Sequence, residues 1–464
     1  MKYLILLSSI VLSACVSTDN SQPSKPQASR AAASLEASAL ADGYQWQLVS
    51  DGKLVVSQSE GEDDQTFPSV IKVPQWVTKE NRAHPDAKYY LYYGEHHGMA
   101  IKMKWAKHIE GPWTPYNVSD SRKGVLDFTA DTDRNQGDNT WKHLASPDVF
   151  IDEEQQRFIM SFHGKLKKKL TSKGKTAEAY HGNAIAFSPN GLNFNDAETG
   201  GGIKGYGPIE AQHGDITRTV YMMKPYARFF FINDKVFTIS RKGLLQQPKS
   251  QSAPWQINKR APFGHQWVSQ TKANDLYNKQ VRKNAKIYHS AIATWFASSE
   301  FATHPNNPHP GKVISSNGKN DRVNHVGIFQ RSNSLLEVFF WVRGDTKKIF
   351  GIDDPYNHLY RVMLDTSSAN WDDWDVVRGA NNQVIFDVAL DPAEIYQAVK
   401  TANGGGDING LTHADPTSMG ASNFIEVDGA LYCFVSFHSE DMGGADSEGQ
   451  ITTFKLTPNT NLTN

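Results

Sequence analysis

The sequence predicts an all-β chain folded as a β-propeller, a ring of four-stranded antiparallel blades. Three observations carry that expectation. From Tyr44 onward the apolar-alternating runs are short and are separated by Gly, Asn, Asp and Pro, with few stretches long enough for a helix. The runs recur in a loose order of outer strand, polar turn, aromatic strand and a strand opening near Gly, which marks a repeated sheet unit. That order persists to Leu456, which a single two-sheet sandwich would not explain. Seven blades are expected, although the spacing alone fixes no number and shows at least five units.

The first residues read as a targeting signal. Lys2 precedes an apolar run from Tyr3 to Leu12 that is too short for a permanent span, and Leu12-Ser13-Ala14-Cys15 closes it with small residues before a cysteine. This resembles a bacterial lipoprotein signal, which implies lipid modification of Cys15. Val16 rather than Asp after that cysteine points to the outer membrane. Residues 1–14 are therefore expected to be a signal peptide, 15–42 a flexible Ser/Ala/Pro-rich tether, and 43–464 the catalytic propeller.

The strand units follow in order. Lys88–Tyr93 leads to Met99–Trp105, and Arg157–Phe162 leads across a lysine-rich insertion, Lys165–Lys175, to Asn183–Ser188. Tyr226–Ile232 turns at Asn233-Asp234 into Val236–Arg241. Val326–Gln330 turns at Ser332-Asn333 into Leu335–Val342, then His358–Leu364 and Trp371–Val376. Ser422–Val427 turns at Asp428-Gly429 into Leu431–Phe437, followed by Gln450–Leu456. Asn274–Lys286 and Pro392–Thr401 are the expected helical or irregular exceptions.

Composition narrows the function. At 464 residues with 39% hydrophobic and 11% aromatic content, the chain can bury a large core. A net charge of −1 gives no basic surplus for nucleic acid, though a local basic patch could meet an acidic glycan. Cys15 and Cys433 are the only cysteines, so no disulfide framework is expected.

The stretch Thr140–Gly164 reads as a hairpin that turns at Asp152–Gln156 and carries His143 just before the outgoing strand and His163 just after the returning one. Two imidazoles at one sheet edge supply a base and a neutral hydrogen-bond partner, although ordinary edge histidines look the same in sequence. A propeller binds ligands at its axial end, where inner strands converge, and His143, His289 and His325 each precede an apolar strand and are expected to point toward the axis. His96 and His97 lie in a turn that could face the same mouth.

HLASPDVF, FIMSFHGK and PYARFFFINDKVFTISRKG together resemble the propeller-fold polysaccharide lyases that cut ulvan, a sulfated uronic-acid polysaccharide of green algae. The resemblance implies an active site of two histidines, a tyrosine and an arginine, matched here by His143, His163, Tyr226 and Arg241. Tyr221 competes with Tyr226, and Arg228 with Arg241. For β-elimination, an arginine can hold the uronate carboxylate bidentately while the tyrosine takes the C5 proton and returns one to O4. His143 then acts as the second acid–base group and His163 orients it.

The expected substrate-binding residues are His96, His97, His289, His325, Arg322 and Arg343, with Arg331 and the lysine-rich insertion as further anion contacts and Trp105, Trp141, Trp267 or Trp295 as stacking surfaces. This reading requires no cofactor. His289, His304, His309, His325 and Cys433 are available to a structural zinc, and calcium is conceivable, but neither has an assigned site. The expected partners are an acidic polysaccharide and the outer membrane, with no nucleic acid, and the chain is expected to be a monomer. Two other readings stay open: a propeller glycoside hydrolase using paired carboxylates, with Asp148, Glu210 and Asp215 as candidates, and a non-catalytic glycan-binding lipoprotein.

Overall fold

The computed structural model describes most of residues 37–194, 228–248, 290–342, 358–402 and 419–459, with short gaps inside these ranges. Strand β1 (Tyr44–Leu48) opens the described fold. Sheet I holds β2 (Gln65–Lys72), β3 (Tyr89–Glu95), β4 (Ala100–Ala106), β5 (Thr114–Pro115) and β6 (Leu126–Asp127). Sheet II holds β7 (Asn135–Gln136), β8 (Asn139–Asp152), β9 (Arg157–Lys168) and β12 (Tyr180–Ser188), with the two-stranded β10 (Leu170–Ser172) and β11 (Lys175–Ala177) between its last two strands. Sheet III holds β13 (Arg228–Ile232), β14 (Lys235–Ser240) and β15 (Gly243–Pro248). Sheet IV holds β16 (Val323–Gln330), β17 (Leu335–Val342), β18 (Leu359–Asp365), β19 (Asp375–Val376) and β20 (Phe386–Leu390). Sheet V holds β21 (Met419–Val427), β22 (Ala430–His438) and β23 (Gly449–Pro458), and β1 joins it as its outermost strand.

These sheets form a propeller arrangement. Strands β2, β8, β13, β16 and β21 contact one another in cyclic order, β21 meeting β2 again. The pairing of β1 with β23 then closes the ring with strands from opposite ends of the fold. Among the described residues there are five sheets of three or more strands, so the expected seven blades are not seen there.

Alternation along the strands explains why the sequence shows near-continuous apolar runs instead of one polar and one apolar face. In β17, Leu335, Phe339 and Trp341 join the core shared with sheet V, while Leu336, Val338 and Phe340 join the core shared with sheet III. In β22, Leu431, Cys433 and Val435 face sheet IV, while Ala430, Tyr432 and Phe434 face sheet I. Both faces of these blades are therefore buried. Phe339 and Phe424 stack across the IV–V interface with centroids 3.9 Å apart.

Asp428-Gly429 forms the expected two-residue turn, with φ of 51° and 78° between the paired Val427 and Ala430. A Cβ on Gly429 would meet nothing within 4 Å. Gly429→Ala is therefore expected to cost about 1 kcal/mol from backbone conformation alone, read as a lower denaturant midpoint with unchanged slope.

Several expectations change. Helix α1 (Ser290–Phe296) replaces the strand read after His289, helix α2 (Ser299–Ala302) follows it, and helix α3 (Pro392–Ala402) fulfils the exception expected there. The lysine-rich insertion, read as a loop, includes the end of β9, β10 and the start of β11. Ala37 and Leu40, inside the stretch expected to be tether, are buried against the IV–V core. No helix among the described residues is long and apolar enough to cross a membrane.

Candidate active site

The inner strands are tied to one another by polar side chains that reach the backbone of the next strand. Ser69 Oγ accepts from Val149 N at 2.8 Å, Asp148 Oδ2 from Phe229 N at 2.9 Å, Gln330 Oε1 from Phe231 N at 3.2 Å and Asn423 Oδ1 from Val70 N at 2.9 Å. These bonds define a level on the ring from which other residues can be placed.

His143 and His325 both precede that level, His143 on β8 before Asp148 and His325 on β16 before Gln330. Both therefore lie in the first half of their strands. The register adds His163: His143 lies opposite Lys165, Leu144 opposite Gly164, and Ala145 opposite His163. The two histidines thus hold diagonal positions on neighbouring strands. They lie within a hairpin longer than the sequence implied, not at its strand ends. Gly98 O accepts from Leu144 N at 2.9 Å, which brings the residue after His96-His97 beside His143.

Bulges shape this end of the ring. The register slips between Thr66 and Ser69 in β2, between Ala145 and Asp148 in β8, between Val323 and His325 in β16 and between Gly420 and Ser422 in β21. Phe67 and Ser146 hold positive φ, at 60° and 53°, each directly before a proline. Such bulges re-aim the strand that carries them.

Asp148 is buried and paired. Arg228 Nη1 donates to Asp148 Oδ1 at 3.0 Å and to Pro147 O at 3.2 Å, and Nη2 donates to Pro68 O at 3.3 Å. One guanidinium thereby joins sheets I, II and III. Arg228, the competing arginine of the sequence reading, is thus committed to protein partners. Burial raises the Asp148 carboxyl above its ordinary value, against the lowering effect of Arg228. The folded chain consequently holds that proton more tightly than the unfolded chain. The carboxyl's contribution to stability falls as pH rises through the ordinary carboxylate range and levels off above the folded value. Asp148→Asn is expected to remove that slope from a pH series of unfolding midpoints. It should also cost about 3–5 kcal/mol by taking from the buried Arg228 the charge of its carboxylate partner.

Other expected site residues are placed elsewhere. Arg331 is bonded to Glu337, Glu426 and Tyr44, so it is no anion contact. Trp295 is 4% exposed in the III–IV core, and Trp105 stacks on His84 with planes 2° apart. His304 Nδ1 accepts from Asn306 N and Nε2 lies 3.0 Å from Val384 O, which fixes the Nε2–H tautomer and occupies both nitrogens. Cys433 sits in the IV–V core, where burial pushes its thiol well up. Neither suits a zinc, and the described residues hold no cluster of three metal-ligating side chains. His96, His97, Tyr221, Tyr226, Arg241, His289, Arg322, Arg343, Glu210, Asp215, Trp267 and Cys15 lie outside the described residues. So do the side chains of His143, His163, His325 and Trp141.

Sequence reasoning missed an open pocket of about 420 Å³ on the outer edge of sheet IV, lined by Trp374, Asp373, Asp375, Glu300 and Arg378 among others. Arg378 holds Glu300 bidentately at 2.7 and 3.0 Å and keeps its carboxyl below the ordinary value. It also missed Ser146, whose strain has no sequence signal beyond the following proline.

No family model matches the chain, and no curated protein sequence matches it. Solved structures of similar course include an exo-1,5-α-L-arabinanase from a bovine ruminal metagenomic library, at 10% identity over 84% of this chain and 93% of that one, with a TM-score of 0.39. A thermostable family-43 glycoside hydrolase gives 10% identity over 85% and 89%, with a TM-score of 0.38. An α-L-arabinofuranosidase from Lactobacillus brevis gives 9% identity over 88% and 92%, with a TM-score of 0.41. Likeness at this level carries no chemistry.

Proposed function

We propose that the chain is a propeller-fold carbohydrate-active enzyme, and within that class a lyase that cuts an acidic polysaccharide of the ulvan type. The observation that supports this reading most is the diagonal placement of His143 on the inner strand β8 and His163 on its neighbour β9. In the reaction, Tyr226 takes the C5 proton of the uronate, the C4–O4 bond breaks as the C4–C5 double bond forms, and a proton passes to the departing O4. Arg241 neutralises the carboxylate against the developing enolate, the role from which the partners of Arg228 remove the other candidate. His143 serves as the second acid–base group, and His163 orients it. His96, His97, His289, His325, Arg322 and Arg343 bind the polymer at the same mouth. A lipid on Cys15 tethers the monomer to the outer membrane, and no cofactor is required.

A glycoside hydrolase is the second reading, and a described observation favours it: Asp148 is an inner-strand carboxyl held at raised pKa, a property of catalytic acids. Against it, the pairing with Arg228 and Phe229 N already uses both carboxyl oxygens. Incubating purified protein with ulvan while recording reducing ends and near-ultraviolet absorbance separates the readings. A lyase raises both signals, a hydrolase raises reducing ends alone, and a non-catalytic binder raises neither.

A further inference from the structure

We propose that Lys165 and His181 bind a sulfate group of the polymer and so set a preference for the sulfated chain, an inference that rests on the function proposed above. The face of sheet II that carries them is fixed by the alternation of β9. Phe158, Met160 and Phe162 join the core shared with sheet I, so the odd-numbered residues of β9 hold the opposite face. That face meets sheet III. Phe150, paired with Ile159, stacks on Phe229 with centroids 5.2 Å apart, and Asp148, paired with Ser161, binds Arg228 and Phe229 N. The pairing of β9 with β12 runs without a slip from Phe158 to Leu166, so His163 and Lys165 fall on the same face as Ile159.

Directly opposite residues of an antiparallel pair share a face, with Cβ atoms about 4.5–5.5 Å apart. Ala145 and Asn183 flank His163, and His143 and His181 flank Lys165, which makes Lys165 the middle of a row of three basic residues across β8, β9 and β12. The face changes character along its strands. Phe150, Ile159 and Phe187 form an apolar row, whereas past Asp148 the paired positions hold three histidines and two lysines, the last being Lys167 opposite Thr140, and no carboxylate. The strands of the facing sheet, β13, β14 and β15, carry no carboxylate either. Basic residues gathered without an acid suit an anionic ligand and not packing. Since Arg241 takes the uronate carboxylate in the proposed reaction, the anion left for this row is the sulfate ester.

The test measures retardation in gels holding ulvan or chemically desulfated ulvan, together with initial lyase rates on ulvan. Lys165→Gln is expected to weaken retardation by ulvan about tenfold and to raise KM by as much, with a smaller change in kcat. His181→Ala should weaken retardation about threefold. Lys165→Arg, which keeps the charge, should recover most of the lost affinity. On desulfated ulvan the wild-type chain, Lys165→Gln and His181→Ala should be retarded alike. Lys79→Gln, the same change of charge at an exposed lysine between β2 and β3, should behave as wild type on both polymers. Wild-type retardation of Lys165→Gln by ulvan, or an equal loss on both polymers, would overturn the inference while leaving the lyase reading intact. A loss that Lys165→Arg fails to recover would also overturn it, by showing that the charge is not what the site uses. If the wild-type chain neither binds nor cuts ulvan, the proposed function fails and this inference falls with it.

Discussion

Glu337→Ala is expected to lower stability by about 3–5 kcal/mol, read from the denaturant midpoint. The reason lies in the alternation of β17. Glu337 falls on the face that Leu335, Phe339 and Trp341 present to sheet V, a position where an apolar side chain would ordinarily sit. Its carboxylate instead receives Arg331 Nε at 2.5 Å, Arg361 Nη1 at 2.9 Å and the Tyr44 hydroxyl at 2.9 Å to each oxygen. Arg361 also donates to Asp387 Oδ1 at 2.5 Å and to Leu40 O at 2.7 Å, and its guanidinium lies over the Tyr44 ring. Glu337 and Arg361 have no exposed side-chain surface. Removing the carboxylate takes one of two carboxylate partners from each of Arg361 and Arg331 and removes the acceptor of the Tyr44 hydroxyl on β1, the strand that closes the ring. A control variant, Glu337→Leu with Arg361→Met, Arg331→Leu and Asp387→Asn, should recover part of the loss, because replacing a buried ion cluster together is gentler than breaking it.

Turnover responds elsewhere. His143→Ala is expected to lower the lyase rate by about a hundred- to ten-thousand-fold, with the denaturant midpoint nearly unchanged. The described side-chain bonds that tie the inner strands together come from Ser69, Asp148, Gln330 and Asn423. Glu337→Ala should show the converse pattern, with the surviving folded fraction turning over normally because the network lies between sheets IV and V. The two variants together separate stability from chemistry.

Much of the fold was legible in the sequence because local pattern and tertiary position agree there. Leu335–Val342 is the same strand in sequence and structure, and Asp428-Gly429 is the turn its residue types demand. Ser290–Phe296 misled because Ile292, Thr294, Trp295 and Phe296 are residues that favour strands, yet the segment folds as a helix whose apolar side chains fill the III–IV core. The ring-closing network was beyond sequence reasoning, since Tyr44 and Glu337 are 293 residues apart. The same holds for Asp148 and Arg228, whose pairing depends on sheets II and III being neighbours. Of the candidate site, the hairpin carrying His143 and His163 was legible, but its length was not, because Lys165 and Lys167 read as solvated loop although they continue β9.

The account stands on the polymer being cut at the mouth where inner strands begin. A crystal structure of the chain with a uronate oligosaccharide tests this most directly. The sugar acid is expected beside His143, His163 and His325, with its carboxylate toward Arg241. A sugar bound instead in the outer pocket between Trp374 and Arg378, with the mouth empty, would contradict the account.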